Sequence, residues 1–464
     1  MSYFLTPKTH LQVIELGDLS ALSAESQLGL QNLTTANNKS VFIAGAGCVG
    51  LAQALAFLNL GYQVILHDPK ALTAWQEDKL DLKVFAVNHV NASFLETIGG
   101  WAQIQALRCN PYDQLSLHVG EQEQETLFTA AEVNLDKLGY MVENSALVQG
   151  LLTACQSYGS QFIFLNQVEL EQAQKQYALR DFSIANDYAP KAEHLSWLLS
   201  FKNGLKLKTN LVLAADGVNS FWRQQAKIGV DIHSYPTRCM LIQVETNPEV
   251  TGDYAHLTWQ QVDEHGPKAW LPVNAGQGVL CWYDQIHTIE QLQKLPLTQL
   301  KNQVLANFPV EKIGTDFTIT QVASFPLARQ RAQHYWHNNV ILLGDAAHTV
   351  SPLAGQGLNL GLQDVQCLTR LFADPSFTSL EALALAYARE RFVDNTLMQE
   401  FLSSLHHLYI SRSPIAKVLR ENMYRINGIT SVKHYALNYA NGDRKLLRGL
   451  SDVSQSLLAL LGKK

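Results

Sequence analysis

The sequence predicts an α/β fold, α+β overall. It has a Rossmann-like nucleotide-binding domain, a β-rich domain inserted into it and helices at the C-terminus. Three observations lead there. Three short apolar runs end in turns rich in glycine and aspartate, the stretch before the last of them reads as strands, and helical periodicity dominates afterwards. The runs are Ser40–Ala44 before Gly45-Ala-Gly47-Cys-Val-Gly50, Asn210–Ala215 before Asp216-Gly217, and Val340–Leu343 before Gly344-Asp345.

The first run continues into a helical pattern, Leu51–Leu60, and a second apolar strand, Gln63–His67, that ends at Asp68. Strand, glycine turn, helix and strand make a βαβ unit. From about Pro111 to Tyr140 the pattern is short and β-like, and a helix resumes over Asn144–Ser157. Residues 232–325 are strand-rich, with alternation at Met240–Glu245 and Gly278–Tyr283. Residues 1–38 show little periodicity and read as an extension, packed on the body or partly loose. The expected domains are therefore 1–38, an extension; 39–110 with 141–230 and 326–375, a discontinuous nucleotide-binding domain; 111–140 with 231–325, a β-rich substrate domain; and 376–464, a helical region.

Composition narrows the function. At about 150 residues per domain, 464 residues leave room for about three domains. The 35 Lys and Arg against 41 Asp and Glu give a charge of −6, with no basic excess for a nucleic acid. Hydrophobic residues at 47% exclude disorder for most of the chain. Charged residues are 16%, below the roughly 25% of an average protein, so much surface is buried or apolar. Six cysteines stand singly with no C-x-x-C spacing, which reads as free thiols in a reducing, cytoplasmic setting. The first twenty residues lack a basic stretch followed by an apolar core, so no signal peptide is expected. Val41–Leu60 is broken by Gln53 and Asn59 and belongs to the βαβ unit rather than to a membrane span.

In Gly45-x-Gly47-x-x-Gly50 the first glycine allows the tight turn. The second lets backbone N–H groups approach a pyrophosphate, and the third lets helix pack on strand. The helix N-terminus adds roughly half a positive charge. Asp68, 18 residues after Gly50, can accept hydrogen bonds from ribose hydroxyls. The motif alone does not choose between NAD and FAD. Asp216-Gly217 and Gly344-Asp345 do, because ligands sit outside the carboxyl ends of parallel strands and an extended dinucleotide with a ribityl chain needs several loops. Gly276-Gln-Gly278 lacks the third glycine, so one tightly held dinucleotide is expected and no separate nicotinamide domain.

These blocks resemble the group A FAD-dependent aromatic hydroxylases, and within them the ubiquinone-biosynthesis hydroxylase family. GAGCVG with Asp68 carries the likeness. So do Leu138–Asn144 with Leu147 and Leu151, Ala215–Ser220 with Arg223, and the segment from Leu343-Gly344-Asp345-Ala-Ala-His348 through Pro352, Gly355-Gln356-Gly357, Asn359 and Gly361 to Asp364. Gly266–Pro272 and Arg391–Asn395 add weaker support, and the likeness spans roughly residues 40–445. Lys83 stands where the family usually has Arg, Ser351 where it has His, and Asp68 where Glu is commoner.

The resemblance implies an FAD monooxygenase that hydroxylates a phenolic ring, a polyprenylated ubiquinone precursor, through a flavin peroxide. NAD(P)H is the expected donor and dioxygen the co-substrate. Such chemistry needs no protein nucleophile. Asp345 is implied to bind the ribityl chain, with Asp216 beside the cofactor, Gln149 facing it, and Lys83 at a phosphate. Gly344, Gln356 and Asn359 complete the cofactor set. Pro352, Gly355 and Gly357 form the loop at the flavin ring, from which a helix N-terminus points N–H groups at the pyrimidine edge. His348 is expected to fix that loop, and the adjacent His406-His407 lacks metal-ligand spacing. Trp259, Trp270, Trp282 and Tyr283 are candidates for the wall of an aromatic pocket, with core packing equally open for each. Two readings stay open beside this one: hydroxylation or epoxidation of another aromatic or apolar substrate, and an inactive FAD-binding subunit of a biosynthetic assembly.

In residues 417–464, nine Lys and Arg face three acids, a net +6 that leaves −12 for the remainder. Leu446, Leu450, Val453, Leu457 and Leu461 form one helical stripe. The expectation is a last helix packed on the body or, more sharply, a tail resting on the inner face of a membrane or on a biosynthetic partner.

Overall fold

The computed structural model describes residues 11–33, 39–119, 125–177, 195–251, 254–263, 265–352, 355–411 and 413, arranged in four sheets with flanking helices. The C-terminal tail and its leucine stripe lie outside the described residues.

The first sheet has the order β19-β20-β13-β2-β3-β9. Its strands are β2 (Ser40–Ala44), β3 (Gln63–Asp68), β9 (Phe162–Asn166), β13 (Val212–Ala214), β20 (Val340–Leu342) and an antiparallel edge, β19 (Trp336–His337). The other five run parallel. Parallel sheets are covered on both faces, which is why β2, β13 and β20 are continuous apolar runs buried throughout. Helix α2 (Cys48–Asn59) crosses from β2 to β3, packed against α5 (Asn144–Gln156) and α10 (Gln356–Ala373). Apart from the buried Gln53 and the terminal Asn59 it is apolar on every face, because neighbours surround it.

The N-terminal segment is built into the body. Strand β1 (Leu11–Glu15) adds to the sheet β1-β12-β11-β10, whose other strands are β12 (Lys206–Thr209), β11 (Leu195–Phe201) and β10 (Leu170–Tyr177). Helix α1 (Ala24–Leu33) covers the edge strand β9 and buries Leu30 and Leu33. Side chains tie it down: Gln63 Nε2 donates to Gly29 O at 2.9 Å, and Leu11 N to Ser40 Oγ at 2.8 Å. Short, weakly periodic elements gain their stability from such packing rather than from propensity.

The largest sheet has the order β21-β18-β14-β17-β16-β15-β6-β7. It comprises β6 (Gln114–Val119), β7 (Glu125–Thr129), β14 (Val230–Thr246), β15 (Leu257–Asp263), β16 (Gly266–Asn274), β17 (Gln277–Gln285), β18 (Phe317–Ala332) and β21 (His348–Thr349). One face packs under α8 (Ile286–Leu292) and α9 (Leu297–Asn307). There Trp259, Trp270 and Trp282 join Leu300, Val304 and Phe308 in a core. The other face carries Cys239, Leu241, Leu271, Val273, Cys281 and Tyr283, packed with Leu80 and Leu82. Because both faces are covered, β17 is buried nearly end to end rather than alternating.

A three-stranded sheet, β4 (Val84–Asn88), β8 (Gly139–Glu143) and β5 (Cys109–Tyr112), lies against β16. Helices α3 (His89–Thr97) and α4 (Trp101–Gln105) follow β4. Two short helices, α6 (Phe221–Gln225) and α7 (Pro248–Thr251), flank β14, and α11 (Leu380–Ile410) closes the described fold.

Candidate cofactor and active site

Ala44, Ala214 and Leu342 stand level in the parallel sheet, so the turns that follow them meet at one edge. The chain leaves β2 toward β3 on one side, while β13 lies on the other. That reversal of strand order opens a crevice at the carboxyl ends. All three predicted turns border it.

The glycine turn has the division of labour expected of it. Gly45 is left-handed at φ +98, and a Cβ there would lie 2.3 Å from the Ala215 carbonyl oxygen. A Cβ on Gly50 would lie 1.8 Å from Gly45 O, so α2 packs directly on the turn. A Cβ on Gly47 would meet nothing within 4 Å, and this glycine is exposed between buried Ala46 and Cys48. Two glycines are thus needed for packing, and the third leaves open space at the N-terminus of α2. Burial pushes the Cys48 thiol there up to about 12, opposed by the charge of Lys83, so it stays neutral at the N-terminus of α2. Asp68 Oδ2 accepts from Ala46 N and Oδ1 from Lys70 N, both at 2.9 Å, which fixes the carboxylate at the end of β3.

Asp345 is exposed while Gly344 and Ala346 beside it are buried. Surrounding protein nevertheless raises its carboxyl pKa, against the lowering influence of His348 and Lys83. Its carboxylate thus reaches solvent while staying within electrostatic range of His348 and Lys83. Asp216 Oδ2 caps Trp222 N at 3.1 Å, and its buried Oδ1 has no partner among the described residues. Burial raises this carboxyl too. The buried Arg223 joins the two turns, donating to Ala346 O and to Val218 O at 2.8 Å each.

Strand β4 links the parts. Before it, exposed Lys83 acts electrostatically on Cys48 and Asp345. Ala86 Cβ lies 3.5 Å from where a Cβ on Gly355 would be, and Gly355 itself is left-handed at φ +61. Gly355 N donates to Pro352 O at 2.9 Å, closing the turn that enters α10, and Gly357 follows in its first turn. Gln356 there is buried, and Gln149 on α5 is half-buried with its amide reaching Thr153 at 3.4 Å.

The segment that delivers Lys83 is held by Glu143. That buried carboxylate accepts from Asp81 N at 2.6 Å, from Trp75 Nε1 at 3.2 Å and from Arg108 at 2.9 and 3.0 Å. Burial raises the Glu143 pKa, and the Asp81 N–H and Arg108 oppose the rise.

One sequence expectation is corrected here, and for the tryptophans the core-packing alternative holds. The Asn359 side chain is not available to a cofactor. It is 1% exposed, its oxygen accepts from Asn88 N and Asn91 Nδ2, and its amide donates to Ala86 O and Gly355 O. Four bonds use all its capacity, and they aim α10 by tying it to β4 and α3. Trp259, Trp270 and Trp282 do not wall the crevice side of the large sheet. They pack beneath α8 and α9, on the face opposite Tyr283. Period-two alternation puts neighbours Trp282 and Tyr283 on opposite faces, and only strand pairing decides which face is which.

Sequence reading missed the role of Asp364. Both its oxygens are buried and fully used: Gly344 N and His348 Nε2 donate to Oδ2 at 3.0 and 2.6 Å, and Arg391 Nε and Asn395 Nδ2 to Oδ1 at 2.6 and 3.1 Å. Burial alone would raise its pKa, but His348 and Arg391 outweigh that and hold the carboxyl well below its usual range. The available signal was the i, i+4 spacing of Arg391 and Asn395, which puts both on one face of α11. All six cysteines are free thiols.

Comparison with known proteins agrees with this geometry. Residues 191–398 match the model of an FAD binding domain. The crystal structure of p-nitrophenol 4-monooxygenase PnpA from Pseudomonas putida DLL-E4 superposes with a TM-score of 0.67 at 14% identity, covering 88% of this chain and 99% of that one. The 3-demethoxyubiquinol 3-hydroxylase of Escherichia coli (strain K12) is 32% identical over 409 residues, 87% of this chain and 98% of that protein. The mitochondrial ubiquinone biosynthesis monooxygenase COQ6 of Danio rerio is 26% identical over 463 residues, 89% and 92% of the two chains. The fold is that of the FAD-dependent aromatic monooxygenases. Within that class, similarity across nearly the whole bacterial hydroxylase makes the chain a member of the ubiquinone-biosynthesis hydroxylase family.

Proposed function

We propose that this protein hydroxylates the ring of a polyprenylated phenolic precursor of ubiquinone, with NAD(P)H as electron donor and dioxygen as co-substrate. The observation that carries the reading is the crevice itself: three turns converge on it, and the apolar face of the large sheet, with Leu241, Leu271 and Tyr283, packs against Leu80 and Leu82 of the Lys83 segment beside it.

The residues fit FAD. Gly47 leaves room for a pyrophosphate at the N-terminus of α2, where backbone N–H groups and Lys83 balance its charge. Asp68 holds the ribose from the end of β3. Asp345 accepts from ribityl hydroxyls, and Asp216, with one free buried oxygen, lines the crevice beside it. The turn closed by the Gly355–Pro352 bond and the first N–H groups of α10 would hold the pyrimidine edge and favour negative charge there. When bound, FAD supplies the electron relay and the activation of dioxygen that place one oxygen atom on the ring. The protein contributes placement and exclusion of water. Leucine and valine side chains on the sheet face hold an apolar ring, and the prenyl chain adds apolar contact in proportion to the area it buries.

The test is oxidation of NAD(P)H by the purified holoprotein with and without a prenylated phenol, with the product analysed for an oxygen atom from labelled dioxygen. Substrate-stimulated oxidation with labelled product is expected. Bound FAD without stimulation by any prenylated phenol would leave an FAD-binding subunit instead. The quinone intermediate that accumulates in cells lacking the protein identifies the ring position.

A further inference from the structure

Helix α10 is held by buried polar side chains at two levels. Asn359, in its first turn, grips β4 and α3. Asp364, five residues on, grips the turn after β20 through Gly344 and the middle of α11 through Arg391 and Asn395. Asp364, Arg391 and Asn395 are each 0% exposed, and His348 is 1% exposed. Arg391 also donates to Asn395 Oδ1 at 2.6 Å and to Leu360 O at 3.3 Å, so it braces both helices. A buried ion pair is poor evidence of stability, because desolvation offsets most of its attraction. Its placement therefore points to what it orients.

That target is specific. Gly344, whose N–H Asp364 accepts, is left-handed at φ +56 and immediately precedes Asp345. The bond fixes the peptide plane from which the Asp345 side chain enters the crevice. Asp345 has no protein hydrogen bond of its own among the described residues, so its direction depends on this backbone anchor. The second donor on the same oxygen, His348 Nε2, anchors the far end of the same turn. One carboxylate thus pins both ends of the turn and helix α10, which the chain enters at Gly355.

We propose that Asp364, set by Arg391 of α11, is a positioning residue for the flavin. It touches no cofactor, yet it fixes both the Asp345 turn and the aim of α10, and so governs flavin affinity and reduction potential. The inference rests on FAD lying in this crevice.

The experiment uses the holoprotein without substrate. Asp364→Asn sets an amide donor against the donors that now converge on the carboxylate. At a temperature where circular dichroism reports full folding, its dissociation constant for FAD is expected to rise at least tenfold. Its midpoint potential is expected to fall by about 30 mV, the equivalent of reduced flavin losing tenfold more affinity than oxidised flavin for a two-electron couple. The control is Val304→Ala in α9, a buried core change under the far face of the large sheet, which lowers Tm but leaves affinity and potential at parent values. Should Asp364→Asn not fold, Arg391→Lys keeps the charge and loses the planar fork, and about a threefold rise in dissociation constant with a fall in potential is expected. Affinity and potential that match the Val304→Ala protein in the folded variant would overturn the proposal. Failure of the underlying placement is separable: Asp345→Ala would then also hold FAD as tightly as the parent.

Discussion

The parallel sheet and the eight-stranded sheet are both covered on two sides, yet they present chemistry differently. The parallel sheet works at its end. Its candidate functional groups are glycines, backbone N–H groups and carboxylates in the turns after β2, β13 and β20, and the meeting of those turns follows from strand order. The large sheet works on a face. Its crevice side is apolar, and whether a residue lies on it depends on one step of register, as Trp282 and Tyr283 show. End sites tolerate ambiguity in register, whereas face sites do not.

The largest expected effect tests the end site. Gly50→Val puts a branched side chain into the Gly45 carbonyl, and the variant should lose FAD and at least ~4 kcal/mol of stability, read by flavin absorbance and thermal unfolding. Gly47→Ala sharpens the point: it faces open space, so it should fold with parent Tm while FAD affinity drops.

Next comes the face site. Trp282→Ala, beneath α8 and α9, should cost about 3–5 kcal/mol in denaturant unfolding with KM for the aromatic substrate unchanged. Leu271→Ala, on the opposite face, should raise KM about tenfold with a smaller stability loss. A raised KM in Trp282→Ala with parent KM in Leu271→Ala would invert the assignment of faces.

Asp345→Ala removes a carboxylate acceptor from the crevice and should weaken FAD binding by about 1–3 kcal/mol, measured by equilibrium dissociation of flavin.

The smallest effect concerns the seam between the large sheet and α11. Burial, with His407 and His233 nearby, lowers the His406 pKa from 6.5 to about 4, against the Tyr235 ring at 4.2 Å. The unfolded chain takes up this proton more readily than the folded one. Stability is therefore complete above pH 6.5 and declines as pH falls toward 4, by about 1–2 kcal/mol at pH 5. His406→Gln should flatten that dependence in chemical denaturation between pH 7 and pH 5.

Sequence alone determined much of this protein. The βαβ unit, the three crevice turns and the open space at Gly47 were legible because each is local: an apolar run, then residues that suit a tight turn. The resemblance carried the cofactor and the reaction class, since its motif residues sit in those same turns. Tertiary structure decided what depends on contacts far apart in sequence. Residues 11–33 lack strong periodicity, and partners such as Gln63 and Thr209 hold them. Asn359 looks like a cofactor ligand in its motif, but its four bonds to the protein leave it none to give. Asp364 acquires its role only where three elements meet, because a carboxylate's function is set by which donors reach it, and those donors come from the turn after β20, from β21 and from α11.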